Sequence, residues 1–110
     1  MAESRATVLQ GTLDLLILKA LSAGELHGLG VSRRIEQLTG GTFVVQPGSL
    51  FPALHRLEAR GLISAVWRPS DNNRKAKFYG LTVRGRKQLE TQRKEWERFS
   101  GAVALILRDA

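Results

Sequence analysis

The apolar positions of the chain recur in groups, and the spacing within each group predicts an element. Over "GTLDLLILKALSAG", Leu13, Leu16, Ile17, Ala20 and Leu21 fall at helical spacing, with Thr12 as N-cap and Gly24 past the end. "HGLGVSRRIEQLTGG" predicts a second helix with Val31, Ile35 and Leu38 on one face and Gly40 and Gly41 as its stop. "TFVV" is long enough only for an extended connector or a strand stub. In "PGSLFPALHRLEARGLI", a step of 100° per residue gathers Leu50, Ala53, Leu54 and Leu57 on one buried arc. Ser49 is the expected N-cap of this third helix, with Pro47 outside it. Pro52 then falls in the first turn, where a missing N–H has no intrahelical partner to lose, and Gly61 ends the helix.

Two strand-like runs, "LISAVWR" and "KAKFYGL", flank the turn-forming cluster "PSDNNR" and predict a hairpin with a long tip. Thr82 caps a final helix reaching about Leu107. Along it Leu89, Trp96 and Val103 lie seven apart. Phe99 and Ile106 form a second such series, with Gln92 in its remaining slot. This is a heptad seam of three repeats. The predicted fold is mainly α with a small β-hairpin, in the order helix, helix, helix, hairpin, helix. That is the order of a winged helix–turn–helix, with residues 1–82 as the winged unit and 83–110 as a C-terminal helix, together one compact body.

Charge adds a location to this pattern. The 110 residues carry a net +7, and residues 1–46 contribute none of it. Residues 47–63 carry +1, residues 64–82 carry +3 and residues 83–99 carry +3. A localised basic surface points to a polyanion, with nucleic acid first and an anionic membrane second, or else to a merely soluble surface. The chain has no cysteine, so disulfides and thiolate metal sites are excluded. "LLILKAL" is far too short to span a bilayer, and "MAESRATVLQ" lacks the apolar core of a signal peptide, so the expected location is cytoplasmic. Paired carboxylates, a nucleophile–base set and a metal cluster are all missing, so neither an enzyme nor a cofactor is expected.

The outward arc of the third helix holds Gly48, Pro52, His55 and Ala59, with Phe51 and Arg56 on its flanks. Such a low profile with few donors suits the DNA major groove, and Ser49, His55 and Arg56 are the expected base readers. The hairpin tip carries Arg74, Lys75 and Lys77, suited to the backbone or the minor groove. Arg33 and Arg34 either touch phosphate or form a solvated face with Glu36. Arg84, Arg86 and Lys87 open the last helix against its dipole, which favours a nearby polyanion. His27 reads as a cap or packing residue, and Trp67 and Tyr79 as packing the wing onto the body. Trp96 has two readings, an anchor of the seam or part of an effector site with Phe99.

"LQGTLDLLILKAL", "HGLGVSRRIEQLTGG", "GSLFPALHRLEARGLI" and "NNRKAKFYGLTVRGRKQL" together resemble the PadR family of bacterial transcriptional regulators, over residues 8–98. The short C-terminal region is similar to the subfamily with a single C-terminal helix. The resemblance implies a homodimer that binds operator DNA, usually as a repressor. In it the C-terminal helix meets the partner's N-terminal helix, and the reading helix and wing meet successive major and minor grooves. By position the reading helix is Ser49 to Arg60 and the wing cations are Arg74, Lys75 and Lys77. Leu13, Leu16 and Ile17 would meet Leu89, Trp96, Phe99, Val103 and Ile106 of the partner. A flat aromatic effector would enter near Trp96 and Phe99. Phe51 stands where the family usually has a tyrosine, so it lacks the hydroxyl for a phosphate bond. The rival expectation is a winged-helix interaction module that binds a partner protein through its heptad helix.

Overall fold

The structure, a computed structural model, describes the backbone of residues 2–108 and the side chains of residues 11–108. Met1, Asp109 and Ala110, which the two expected units include, lie outside the described residues. The elements are α1 (Ala2–Leu21), β1 (Leu26–His27), α2 (Gly28–Leu38), α3 (Pro47–Ala59), β2 (Ile63–Pro69), β3 (Lys75–Leu81) and α4 (Val83–Arg108). The mainly α fold with a small sheet is the expected one.

One core is built from every element but the wing tip. Ile17, Leu18 and Leu21 of α1, Val31 and Ile35 of α2, and Leu50, Ala53, Leu54 and Leu57 of α3 are buried, with Leu62, Ile63 and Tyr79 closing it from the hairpin. The arc predicted for α3 is therefore the buried one. Two expectations fail here. Leu38 shares the azimuth of Val31 but is exposed, because α2 runs past the end of the core. Ile17 is 0% exposed and Leu13 8%, so the chain's own core consumes two side chains expected at a dimer contact. Leu16 and Leu89 are half-buried against that same core.

Two helix starts differ from expectation. Thr12 is internal to α1, because the helix begins at Ala2 and continues through Gly11, whose conformational cost a long helix can absorb. α3 starts at Pro47 with Gln46 as N-cap, because the ring-fixed φ of proline already suits the first helical position. Ser49 is therefore a first-turn residue, and its N–H donates to the Gln46 carbonyl at 3.0 Å. Pro52 becomes the sixth helical residue and forgoes the bond to the Gly48 carbonyl. Both residues face solvent, which limits the cost. The other ends follow the sequence signals. Gly40 and Gly61, at φ of 58° and 73°, terminate α2 and α3 with paired returning bonds such as Leu62 N–H to the Leu57 carbonyl at 3.0 Å.

The sheet order is β1–β3–β2, all antiparallel. β1 has two residues, too few for a periodic signal, and it adds a third strand to the predicted hairpin. The register runs from Ile63 opposite Leu81 to Pro69 opposite Lys75. Alternation then assigns the faces. Ile63, Ala65, Trp67, Tyr79 and Lys77 share the core side, while Val66, Arg68 and Phe78 lie on the other. Asn73, at φ 60°, and Ser70, whose N–H donates to the Arg74 carbonyl at 2.6 Å, close the tip.

α4 begins at a tight seat. The Thr82 side chain accepts from Gly85 N–H at 3.0 Å as N-cap, and its hydroxyl lies 2.7 Å from the Gly61 carbonyl. A Cβ on Gly85 would lie 2.0 Å from the Leu62 carbonyl oxygen, so only glycine lets α4 approach the base of the wing this closely. From there α4 packs on α1 and β3.

Candidate nucleic-acid interface

α2 and α3 form the helix–turn–helix, and their mutual position rests on a glycine. Gly28 opens α2, capped by His27, whose Nδ1 accepts from Gly30 N–H at 3.0 Å. A Cβ on Gly28 would stand 2.7 Å from Cε1 and 2.9 Å from Cζ of Phe51. The Phe51 ring thus leans back on the start of α2 instead of projecting from α3, although part of it stays exposed. Ser32 Oγ donates to the Val45 carbonyl at 2.9 Å and ties the connection between the two helices to α2.

The outer face of α3 presents Ser49, Phe51, Pro52, His55, Ala59 and Arg60 to solvent. Arg56 is placed differently from a free reader. Its Nη2 lies 3.0 Å from Asp14 Oδ1, with the arginine side chain 40% exposed. The guanidinium therefore links α3 to α1 in the DNA-free chain.

The wing cations divide in two. Arg74 and Lys75 are exposed and form no ion pair among the described residues. Lys77 instead donates to Glu58 Oε1 of α3 at 3.1 Å and lies 5.5 Å from the centre of the Tyr79 ring. It holds the wing against the end of α3. On the other sheet face Arg68 pairs with Glu25 at 2.8 Å. Tyr79 packs into the core as expected. Trp67 does not: it is 65% exposed, because β2 outruns the core two residues after Ala65. Arg33 and Arg34 make no ion pair with Glu36, and Arg84, Arg86 and Lys87 are likewise unpaired among the described residues.

The heptad positions of α4 divide by depth. Leu89 meets the core, while Trp96, Phe99, Val103 and Ile106 are exposed, Ile106 to 75%. The Trp96 and Phe99 rings lie with centroids 6.0 Å apart. Gln92 Oε1, on the same side of the helix, is buried without a hydrogen-bond partner. Arg93 pairs with both Glu90 and Glu97, and holds the Glu90 carboxyl below its usual range. Apart from this row, a groove of about 540 Å³ runs between α1, residues 42–46 and the start of α3, lined by Leu16, Phe43, Pro52 and Arg56 among others. Among the described residues, no helix is long and apolar enough to cross a membrane.

Sequence reasoning missed the Asp14–Arg56 tie, the Lys77–Glu58 tie and the exposure of Trp67. The first joins residues 42 apart and has no local signal. The last was accessible in principle, since β2 is longer than the core it covers.

The model of the PadR-like transcriptional regulator family matches residues 17–91. A PadR-like transcriptional regulator from Bacillus cereus has a similar structure, with TM-score 0.77 and 33% identity, covering 92% of this chain and 96% of that one. A transcriptional regulator from Mycobacterium tuberculosis is 35% identical over 94 residues, 86% of this chain and 84% of that protein. A 37.1 kDa protein of a Streptomyces fradiae transposon is 39% identical over 90 residues, and the matched stretch spans 24% of its length. These relatives and neighbours are transcriptional regulators where they are described by activity, and none is described as an enzyme. With the helix–turn–helix, the wing and the family match together, the chain belongs to the PadR-like family of DNA-binding transcriptional regulators.

Proposed function

We propose that the protein is a homodimeric repressor that binds operator DNA in the cytoplasm. The observation that carries this reading is the lean outer face of α3 beside a wing, tied to α3 through Lys77, whose tip cations Arg74 and Lys75 are unpaired among the described residues. α3 lies in the major groove, with His55 and Ser49 at base edges and Pro52 and Phe51 against sugar or thymine methyl. Arg74 and Lys75 follow the adjacent minor groove, and Arg33, Arg34 and Arg60 meet phosphate. Arg56 and Lys77 act first as ties that hold α3 and the wing in register. Residues 1–82 do the binding, and 83–110 supply the dimer seam through Trp96, Phe99, Val103 and Ile106. That exposed apolar row is what a second copy would cover, and the unpartnered Gln92 amide would find its partner there. Leu16 remains available to that contact, while Ile17 and Leu13 do not. A flat aromatic effector would act at the Trp96–Phe99 pair.

The test is anisotropy titration of labelled duplex DNA across a range of salt. About eight phosphate contacts per dimer give a log–log slope near −7. Affinity indifferent to salt, or no duplex binding, would favour the interaction-module alternative instead. Selection of duplexes from a random pool, with and without aromatic compounds, tests operator preference and the effector together.

A further inference from the structure

Trp67 is an anomaly of the wing. Alternation along β2 puts it on the same sheet face as Ile63 and Ala65, yet 65% of it is exposed. Its cross-strand partner is Lys77, which reaches Glu58 of α3. The indole therefore sits on the side of the wing that faces the reading helix, just beyond the core. Pro69 and Lys75, paired with each other at the end of the hairpin, lie on that same face. An apolar pair, Trp67 and Pro69, is thus flanked by Lys75 and Lys77 and leads to Arg74 at the tip. The opposite face differs: its exposed apolar residue is the aliphatic Val66, its Arg68 is paired to Glu25, and Phe78 packs edge-on against His27 at 5.7 Å.

Water is a poor partner for an indole left on an exposed surface. A surface that interleaves apolar rings with cations matches the chemistry of nucleic acid, whose sugars and base edges are apolar between charged phosphates. A protein partner would find the same ring, but a face carrying Arg74 and Lys75 disfavours all but an acidic one. A membrane is disfavoured because the apolar area is a single ring and a proline.

We propose that Trp67 is a DNA-contacting residue, laying its indole against the deoxyribose wall of the minor groove between phosphates held by Arg74 and Lys75. This rests on the DNA-binding reading above. It gives the wing an apolar contact with no charge, so its contribution does not weaken as salt rises.

The test makes Trp67 the sole tryptophan with Trp96→Phe and follows acrylamide quenching of its emission. In the free protein quenching is efficient, and saturating duplex DNA shifts the emission to shorter wavelength and lowers quenching severalfold. Trp67→Ala weakens duplex affinity roughly tenfold and leaves the salt slope unchanged, whereas Trp67→Phe keeps most of the affinity. Lys75→Ala lowers the slope by about one instead. If the Trp96→Phe chain binds duplex as the wild-type chain does but Trp67 stays as accessible as before, or Trp67→Ala binds as tightly, this inference is overturned while the DNA-binding reading stands. If Trp67 is already shielded in the free protein, a second copy covers it and the inference is likewise overturned. If the wild-type chain binds no duplex at any salt, both fall.

Discussion

Arg56 Nη2 lies 3.0 Å from Asp14 Oδ1 and joins α3 to α1 across 42 residues of sequence. An arginine free on the outer face would meet only solvent, whereas this one has a carboxylate partner. The arginine side chain is 40% exposed, so solvent screens the pair and its contribution to stability is roughly 0.5 kcal/mol. Asp14→Asn should leave the fold intact and release the guanidinium to phosphate. The expected outcome is tighter binding to random duplex and a salt slope steeper by about one, read by anisotropy. Arg56→Ala should weaken operator and random DNA alike, with no base position losing its preference in a duplex selection.

Gly28 and Phe51 make the second prediction. An added methyl would press on the far edge of the ring, so Gly28→Ala must push Phe51 aside. Urea unfolding should give a loss of about 1–2 kcal/mol. Phe51→Leu in the same chain should recover most of it by vacating the space. If the two substitutions add independently, the ring does not set the approach of α2 to α3.

Gly85→Ala should be the most damaging glycine substitution. The clash is with the Leu62 carbonyl, which is backbone and cannot swing away. A loss of more than about 3 kcal/mol, or failure to accumulate folded protein, is expected. Gly48→Ala, at a position with open space around it, is the control and should leave unfolding nearly unmoved.

Ile106→Glu and Val103→Glu place charge in the exposed row of α4. Sedimentation equilibrium should show a shift from dimer to monomer, with far-ultraviolet circular dichroism unchanged. Gln92→Leu should act in the opposite direction, tightening self-association while admitting more than one oligomeric state, because a lone polar residue in a heptad seam fixes its register.

The course of the helices was legible because their buried arcs follow a simple period. Leu50, Ala53, Leu54 and Leu57 are all buried as that period requires, and Thr82 caps α4 as its hydroxyl suggested. Helix starts were less legible. Ser49 is a good cap by composition, but Pro47 suits the first helical position as well, and the two signals compete within three residues. β1 has no period to detect in two residues. The charges of the candidate site were not legible: Arg56, Lys77, Arg74 and Lys75 look alike in sequence, and only the fold separates two tied cations from two that are unpaired among the described residues. Trp67 and Tyr79 likewise look equivalent, yet one lies over the core and the other lies past its edge.

The contact of Gly85 with the Leu62 carbonyl has a mechanical meaning. Where α4 leaves the wing the closest approach is to backbone, which yields less than a side chain, so a bend between helix and wing is costly there. The arm that α4 forms is 26 residues, about 39 Å. A tilt of about 10° at its far end displaces the wing by about 7 Å, some two base pairs along the duplex. In the proposed dimer joined through those arms, a small change of angle at the seam becomes a mismatch in half-site spacing without any change in α3 itself.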